Sequence, residues 1–192
     1  MTAYTVNFDA ICKLTDDQFF HLCQANPELK FERNSNGELI ILPPTGGETG
    51  RRNSELNADF VIWNRKTQLG KVFDSSTCFK LPDGANRSPD VAWIRADRWN
   101  ALTSEEQTQF PPIAPDFVLE LMSATDSLPA LQAKMREYRD CQGQLGWLIV
   151  PQSRQVEIYR QGQIVEVLRS PRILRGEDVL PGFVLELSFV WA

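Results

Sequence analysis

The sequence has very little histidine and no closely spaced pair of cysteines. Its residues include one histidine, His21, and four cysteines, none of which forms a C-x-x-C pair. A Cys/His zinc site is therefore not expected. The same scarcity excludes nearly every mechanism that uses histidine as the base. We expect four reduced and mostly buried thiols, as in a cytosolic protein.

Long apolar runs and basic runs are also missing. The sequence has no apolar stretch of about 18 residues, so no transmembrane helix is expected. The N-terminus lacks the basic and apolar regions of a signal peptide, so we expect a cytoplasmic protein with no membrane partner. The formal net charge is −5, without a Lys/Arg-rich tail. This charge counts against a non-specific nucleic-acid coating protein, but not against a nuclease with a locally positive cleft.

The first half of the chain predicts a helix, a β-hairpin and a second helix. Thr15 and Gln18 form a capping-box pattern at the start of a helix near 15–25. An Asn-Gly pair between "LKFERN" and "ELIIL" is typical of a hairpin. The segment "PPTGGETG" predicts a loop, and apolar residues at helical spacing predict a helix at roughly 51–67.

The second half predicts strands around one further long helix. Strands are expected at "KVFDSS", "CFKL" and "PDVAWI", followed by the short helix "TSEEQTQF". A helix at about 128–141 precedes "GWLIVP", "QVEIYR" and "IVEVL", the last two forming a hairpin. The whole order indicates one α/β or α+β domain over residues 1–192, with a mixed sheet.

The segment "FVLEL" occurs twice and places one carboxylate in each apolar run. The copies lie at 117–121 and 183–187, with Glu120 and Glu186 as their charged residues. A buried charge is costly unless it is paired or binds a cation. Glu186 has no comparable partners nearby in the sequence, and we expect it to face outward on a terminal strand.

Glu120 has two candidate partners in the sequence. Asp90 begins the strand before it, and Lys134 lies beside the apolar stripe of the helix after it. The three side chains can converge at one edge of the sheet. Two carboxylates suit Mg²⁺, and a nearby lysine stabilises phosphate charge, so together they could hydrolyse a phosphodiester. The alternative for Lys134 alone is a lysine that lays its stem on apolar surface.

The segments "SPDVAWI", "PDFVLELMSATDSLPALQAKMREYRDCQGQLGWLIVP", "VEIYR" and "LPGF" resemble the Uma-type family of putative restriction endonucleases, in the PD-(D/E)XK nuclease superfamily. The resemblance implies a restriction-endonuclease-like fold, with a mixed central sheet between helices. It implies Mg²⁺, with Mn²⁺ as a substitute, on the metal-binding acids Asp90 and Glu120. The usual superfamily lysine position is Met122 here, and the family's displaced lysine matches Lys134.

The resemblance also implies partners and leaves alternatives open. It implies a DNA substrate, a homodimer for cutting both strands, and a further acid from the first core helix, for which Glu48 and Glu55 are candidates. The leading hypothesis is a metal-dependent DNA endonuclease. The second is a nuclease-fold protein that binds nucleic acid or a partner protein without cutting. The third is a structural domain in which the three charged residues form only a salt-bridge cluster.

Overall fold

A computed structural model describes residues 3–7 and 12–192 of the chain. The helices in this part of the chain are α1 (Asp16–Ala25), α2 (Gly47–Thr67), α3 (Ala96–Asn100), α4 (Ser104–Thr108), α5 (Leu128–Asp140) and α6 (Ser188–Trp191). The strands are β1 (Tyr4–Val6), β2 (Lys30–Arg33), β3 (Leu39–Leu42), β4 (Gly70–Asp74), β5 (Phe79–Lys80), β6 (Asn86–Arg87), β7 (Val91–Arg95), β8 (Phe117–Leu121), β9 (Leu145–Val150), β10 (Gln155–Arg160), β11 (Glu166–Arg169), β12 (Ile173–Arg175) and β13 (Val184–Glu186).

The central sheet is mixed, as the sequence predicts. Its six strands lie in the order β11-β10-β9-β8-β7-β4. Strands β8 and β9 pair in parallel, whereas the other neighbours pair antiparallel. A parallel pair needs a crossover connection, and α5 provides it. Lys134 is therefore carried by the helix that crosses over from β8 to β9.

Each face of the central sheet is covered by one long helix. Leu56, Phe60 and Trp63 of α2 pack on one face, in a core that includes Phe117 and Trp147. On the other face, the fully buried side chains of α5 pack against the opposite side of β8 and β9. Side chains alternate between the two faces along each strand, so β8 sends its even-numbered residues toward α5.

A second sheet, of five strands, is formed by the N-terminal part of the chain. Its strands have the order β1-β3-β2-β6-β5, and β2 and β3 form the predicted hairpin. Helix α1 begins with the predicted capping box, in which Thr15 and Gln18 bond each other's backbone N–H groups. Phe19 of α1 packs with Phe31 of β2 in a small separate core. This packing fixes the position of β2, which contributes to the site described below.

The two copies of "FVLEL" have different environments. The first forms β8, whose five residues are buried between β7 and β9. The second contributes only Val184–Glu186 to β13, which pairs with β12 alone. Glu186 is exposed, as predicted for an outward-facing residue on a terminal strand. The same five-residue sequence therefore forms a central strand in its first copy, and three of its residues form an edge strand in its second copy.

Several element predictions were incomplete. Helix α2 begins at Gly47 and not near residue 51, because the glycine-rich segment forms its first turn. Helices α3 and α6 and strands β1, β6 and β12 were not predicted. All four cysteines are free, but only Cys78 and Cys141 are buried, so the expectation of mostly buried thiols was too strong. Among the described residues, no helix combines the length and apolarity needed to span a bilayer.

Candidate active site

The backbone register places Asp90 and Glu120 opposite each other. Strands β7 and β8 pair antiparallel, with Val91 beside Leu119 and Ala92 beside Val118. Asp90 immediately precedes β7, and one further step along the same register sets it across from Glu120. The charge of Asp90 raises the pKa of Glu120, so the two acids are neighbours at the end of the β7–β8 ladder, although Glu120 is held from α5 and Asp90 from α2.

Glu120 is buried and held from the side of α5. Its Oε1 lies 2.7 Å from the ammonium of Lys134 and accepts a 3.1 Å hydrogen bond from the hydroxyl of Tyr138. Burial raises the pKa of Glu120 to about 7; the charge of Lys134 opposes the increase, while Asp90 adds to it. Both contacts fall on Oε1, which leaves Oε2 as the oxygen available to a further ligand.

Lys134 is shared between two carboxylates. Its ammonium lies 2.8 Å from Oε1 of Glu32, on β2 of the second sheet, in addition to its contact with Glu120. A weaker hydrogen bond of 3.4 Å reaches the carbonyl of Ser88. Burial would lower the pKa of Lys134, but Glu120 and Glu32 outweigh that effect and raise it. The lysine therefore stays charged and is held in a fixed position, unlike a lysine that only covers apolar surface.

Glu32 connects the lysine to an arginine. Arg87 contacts Glu32 at 3.1 Å and also pairs with Glu137 of α5. Burial would raise the pKa of Glu32, but Lys134 and Arg87 lower it to about 2. Glu137 is itself largely buried, since only 10% of its side chain is exposed where it meets Arg87.

Asp90 is held by groups from two different elements. Its Oδ1 accepts a 2.9 Å hydrogen bond from Nδ2 of Asn53 on α2, and its Oδ2 accepts a 2.8 Å bond from the backbone N–H of Leu121. Burial raises the pKa of Asp90, although these bonds and the charge of Lys134 oppose the increase. The carboxylate is thus fixed between α2 and the end of β8.

The three other acids considered from the sequence lie elsewhere. Glu48 and Glu55 both pair with Arg51 on the solvent side of α2, and the contacts described for Asp90 and Glu120 do not include them. Glu186 lies in the small sheet formed by β12 and β13. The residue of α2 that contacts Asp90 is Asn53, which sequence reasoning did not identify.

The charge balance of the site favours a divalent cation. Asp90, Glu120, Glu32 and Glu137 interact with three cations, Lys134, Arg87 and Lys30, so full ionisation leaves an excess of one negative charge. Within residues 3–7 and 12–192, no group of three or more His, Cys, Asp or Glu side chains is arranged to hold a metal. Mg²⁺ needs only one or two carboxylates and completes its shell with water and phosphate oxygens. The pair Asp90 and Glu120 fits that requirement.

A groove gives access to the acids from the side of α2. Its volume is about 710 Å³, and its lining includes Thr45, Asn53, Arg65, Ser75 and Asp90. A second groove of about 560 Å³ shares Arg65 with the first and adds Lys71. The first groove also contains Asp74 and apolar residues of α2, so Arg65 and Lys71 are the basic side chains on a path of mixed character that starts at Asp90.

Asp90, Glu120 and Lys134, the three site residues predicted from the sequence, lie together at the end of β8, as expected. Glu32, Arg87 and Tyr138 were missed as members of the site. Glu32 occupies a hairpin strand far from the others in sequence, and no local pattern distinguishes it from a surface residue. The alternation of buried and exposed residues could not have found it, because Phe31, Glu32 and Arg33 are all buried.

Comparison with known proteins agrees with this architecture. A family model described as "Uma2: Putative restriction endonuclease" matches residues 16–188. A solved structure of a putative nuclease belonging to DUF820, from Anabaena variabilis, has a TM-score of 0.72 and 21% sequence identity. The alignment covers 85% of this chain and 90% of that one. No curated protein matches the chain. The likeness to the solved structure shows the fold, and the family model shows the family.

Proposed function

Because the chain belongs to the Uma2 family of putative restriction endonucleases, we propose that it is a metal-dependent endonuclease that hydrolyses phosphodiester bonds in DNA. One observation carries the proposal: the carboxylates of Asp90 and Glu120, at the end of the β7–β8 ladder, both interact with the fixed ammonium of Lys134. A surface salt bridge would not require the burial of Glu120, and a buried ion cluster by itself adds little stability.

Asp90 and Glu120 would hold Mg²⁺, or Mn²⁺ in its place. Glu120 offers Oε2, and each oxygen of Asp90 keeps a lone pair beyond its hydrogen bond. When bound, the cation supplies Lewis-acid stabilisation of the negative charge that develops on the phosphoryl oxygens. The bonds from Asn53 and Leu121 keep Asp90 oriented before any substrate arrives.

Lys134 would stabilise the phosphoryl group of the substrate. Its pKa is raised by Glu120 and Glu32 in spite of burial, so it carries a full positive charge at neutral pH. Glu32 of the second sheet holds the same ammonium that Glu120 contacts. A preoriented charge of this kind needs no reorganisation during the reaction, and its loss typically costs several kcal/mol of transition-state stabilisation.

The groove beside Asp90 would receive the nucleic acid. Its uncharged polar residues and the basic residues Arg65 and Lys71 continue away from Asp90, and such groups bond phosphate and sugar oxygens. The net charge of −5 means that attraction of DNA depends on this local path rather than on the whole surface. Cutting both strands would further require two active sites, as in a homodimer.

A plasmid-nicking assay tests the proposal. Purified protein is incubated with supercoiled DNA in Mg²⁺, in Mn²⁺ and in EDTA, and the nicked product is followed with time. We expect nicking with either metal and none in EDTA. Asp90→Asn should remove the activity, because a neutral amide is a weaker cation ligand than a carboxylate. Glu186→Gln is the matched control, since Glu186 lies outside the site, and it should cut like the wild type.

Two results would contradict the proposal. Nicking that persists in Asp90→Asn would place the activity elsewhere or in a contaminant. A wild-type protein that binds labelled DNA but cuts none in either metal would favour the second hypothesis, a nuclease-fold protein that binds without cleavage.

A further inference from the structure

The side-chain amide of Asn53, next to Asp90, has a hydrogen-bond partner for its nitrogen but none among the described residues for its oxygen. Its Nδ2 donates to Asp90 at 2.9 Å, but its Oδ1 is buried and accepts no hydrogen bond from any residue that the structure describes. A buried amide oxygen without a partner has lost its hydrogen bonds to water and gained none in exchange, which is unfavourable. Such a group in a folded protein requires an explanation, and an ion is one of the usual ones.

The position of this oxygen is set by the hydrogen bond to Asp90. Oδ1 and Nδ2 belong to the same planar carboxamide, so fixing Nδ2 on Asp90 keeps Oδ1 within about 5 Å of that carboxylate oxygen, the hydrogen bond plus the width of the carboxamide. Both residues line the groove next to α2. An amide oxygen is a hard ligand of the kind that Mg²⁺ and Mn²⁺ accept alongside carboxylates.

The opposite orientation of the carboxamide explains the contacts less well. Turning the side chain over would set Oδ1 against Oδ1 of Asp90, an acceptor against an acceptor, and would leave Nδ2 without an acceptor. The orientation with Nδ2 on Asp90 satisfies the carboxylate and leaves only the oxygen open. A cation that binds Asp90 would then find a second oxygen beside it.

We propose that Oδ1 of Asn53 is a direct ligand of the divalent cation, together with the carboxylates of Asp90 and Glu120. This inference rests on the proposed function, since it concerns the same cation. Helix α2 would then supply a neutral oxygen from its inner side, whereas Glu48 and Glu55 stay paired with Arg51 on its outer side. A neutral ligand completes the cation's shell without adding a third negative charge beside two crowded carboxylates.

The decisive measurement is the position of Mn²⁺ in crystals of the wild-type protein. Anomalous scattering locates the ion independently of any activity. We expect one peak between Asp90 and Glu120, with Oδ1 of Asn53 at a bonding distance of roughly 2.1–2.3 Å, close to that of Mg–O bonds. A peak at that place with Oδ1 beyond about 3.5 Å would overturn the inference.

Calorimetry of Mn²⁺ binding provides the second measurement. Asn53→Ala should weaken binding about tenfold, the scale typical for losing one supporting group of a metal site. Asn53→Asp should bind at least as tightly as the wild type, because it keeps an oxygen at the same position and adds charge. Asn57→Ala is the matched control, since Asn57 lies one turn further along α2 and donates instead to the carbonyl of Phe73. Its affinity should equal that of the wild type.

The outcomes separate this inference from the proposed function. If Mn²⁺ occupies the acidic pair and Asn53→Ala binds it as tightly as the wild type, Asn53 is not a ligand and the nuclease proposal is untouched. If the wild type binds no Mn²⁺ at Asp90 and Glu120, both fail together. If Asn53→Ala and Asn53→Asp lose affinity equally, Asn53 acts only as the hydrogen-bond donor to Asp90, and the ligand assignment is wrong. Thermal melting of each variant checks that the fold is retained.

Discussion

The ammonium of Lys134 lies 2.7 Å from Oε1 of Glu120, across the gap between the crossover helix and the central strand. Glu32 approaches the same ammonium at 2.8 Å from the second sheet. Three elements thus meet at one charged group, and removing that group leaves two buried carboxylates with less compensation. This relationship determines what the variants of Lys134 should do.

Lys134→Ala should reduce DNA nicking by orders of magnitude while the protein still binds Mn²⁺ through Asp90 and Glu120. Under the proposed function, the lost charge is the one that would stabilise the phosphoryl group. Lys134→Arg should not restore activity fully, because a planar guanidinium cannot replace a compact ammonium between two carboxylates. Nicking rates and Mn²⁺ titrations of the two variants check this. Undiminished nicking by Lys134→Ala would show that the lysine has only a structural role.

Removal of Glu120 and Glu186 should have different effects on metal binding. Glu120→Ala should abolish measurable Mn²⁺ affinity in calorimetry, because half of the acidic pair is lost. Glu186→Ala should leave the affinity unchanged, since Glu186 is exposed on β13. Equal losses of Mn²⁺ affinity in the two variants would mean that the assignment of Glu120 as a metal ligand and of Glu186 as a non-ligand is wrong.

The affinity for Mn²⁺ should depend on pH through Glu120. Its pKa is raised to about 7, so below that pH the cation must displace a proton before it can bind. The affinity should therefore fall about tenfold for each pH unit below 7 and level off above it. Calorimetry in buffers of different ionisation enthalpy measures the protons released directly. Proton release that stays near zero at pH 6 would contradict the assignment of Glu120 as a ligand.

Without metal, the stability of the fold should decrease as the pH rises, again because of Glu120. Its pKa lies above the ordinary value of 4.5 in the folded state, so this contribution is fully present below about pH 4.5. It is lost as the pH rises through 7, by on the order of 3 kcal/mol at 1.36 kcal/mol per pKa unit. Urea unfolding in EDTA between pH 5 and 8 should show the loss in the wild type and a flatter profile in Glu120→Gln. Glu32, with a pKa of about 2, stays ionised over this range.

Glu32→Gln should destabilise the protein by about 3–5 kcal/mol, as expected when one member of a buried ion cluster is removed. Lys134 and Arg87 would each lose a carboxylate partner in a place that water does not reach. Glu48→Gln is the surface comparison, because Glu48 also contacts two arginines but is exposed to solvent, and its effect should be small. Urea unfolding at pH 7 measures both. A small change in the free energy of unfolding for Glu32→Gln would mean that water reaches the ion cluster more easily than its burial indicates.

The sequence predicted those parts of the molecule that depend on local pattern. Three features follow from spacing within short segments. They are the capping box of Thr15 and Gln18, the hairpin around its Asn-Gly pair, and the order of Asp90, Glu120 and Lys134 along two strands and the helix that follows them. The restriction-endonuclease-like fold also followed, from the resemblance of several ordered segments to one family. These features were confirmed as elements and positions. The chemical roles of the three residues stay predictions.

The parts that could not be predicted depend on contacts between distant segments. Glu32 enters the site because the second sheet docks on α5, and no property of "LKFERN" reveals that docking. Asn53 is one of several polar residues on α2, and only the packing of that helix against the end of β7 selects it. Helix α2 also begins earlier than expected, since its first turn contains glycines, which have low helix propensity but are tolerated at a helix start.

The pairing of Glu32 with Lys134 also has a consequence for the order of folding. The two residues come from β2 and α5, so their contact closes a very long loop, and loops of that kind tend to close late. A ribosome-bound chain that has emerged only as far as the hairpin carries Glu32 in water, without its cation. The charged centre therefore forms after both sheets have been made and docked. Local opening between the sheets would separate Glu32 and Arg87 from α5 while Lys134 keeps its contact with Glu120, so the loss of these pairings reports on docking rather than on global unfolding.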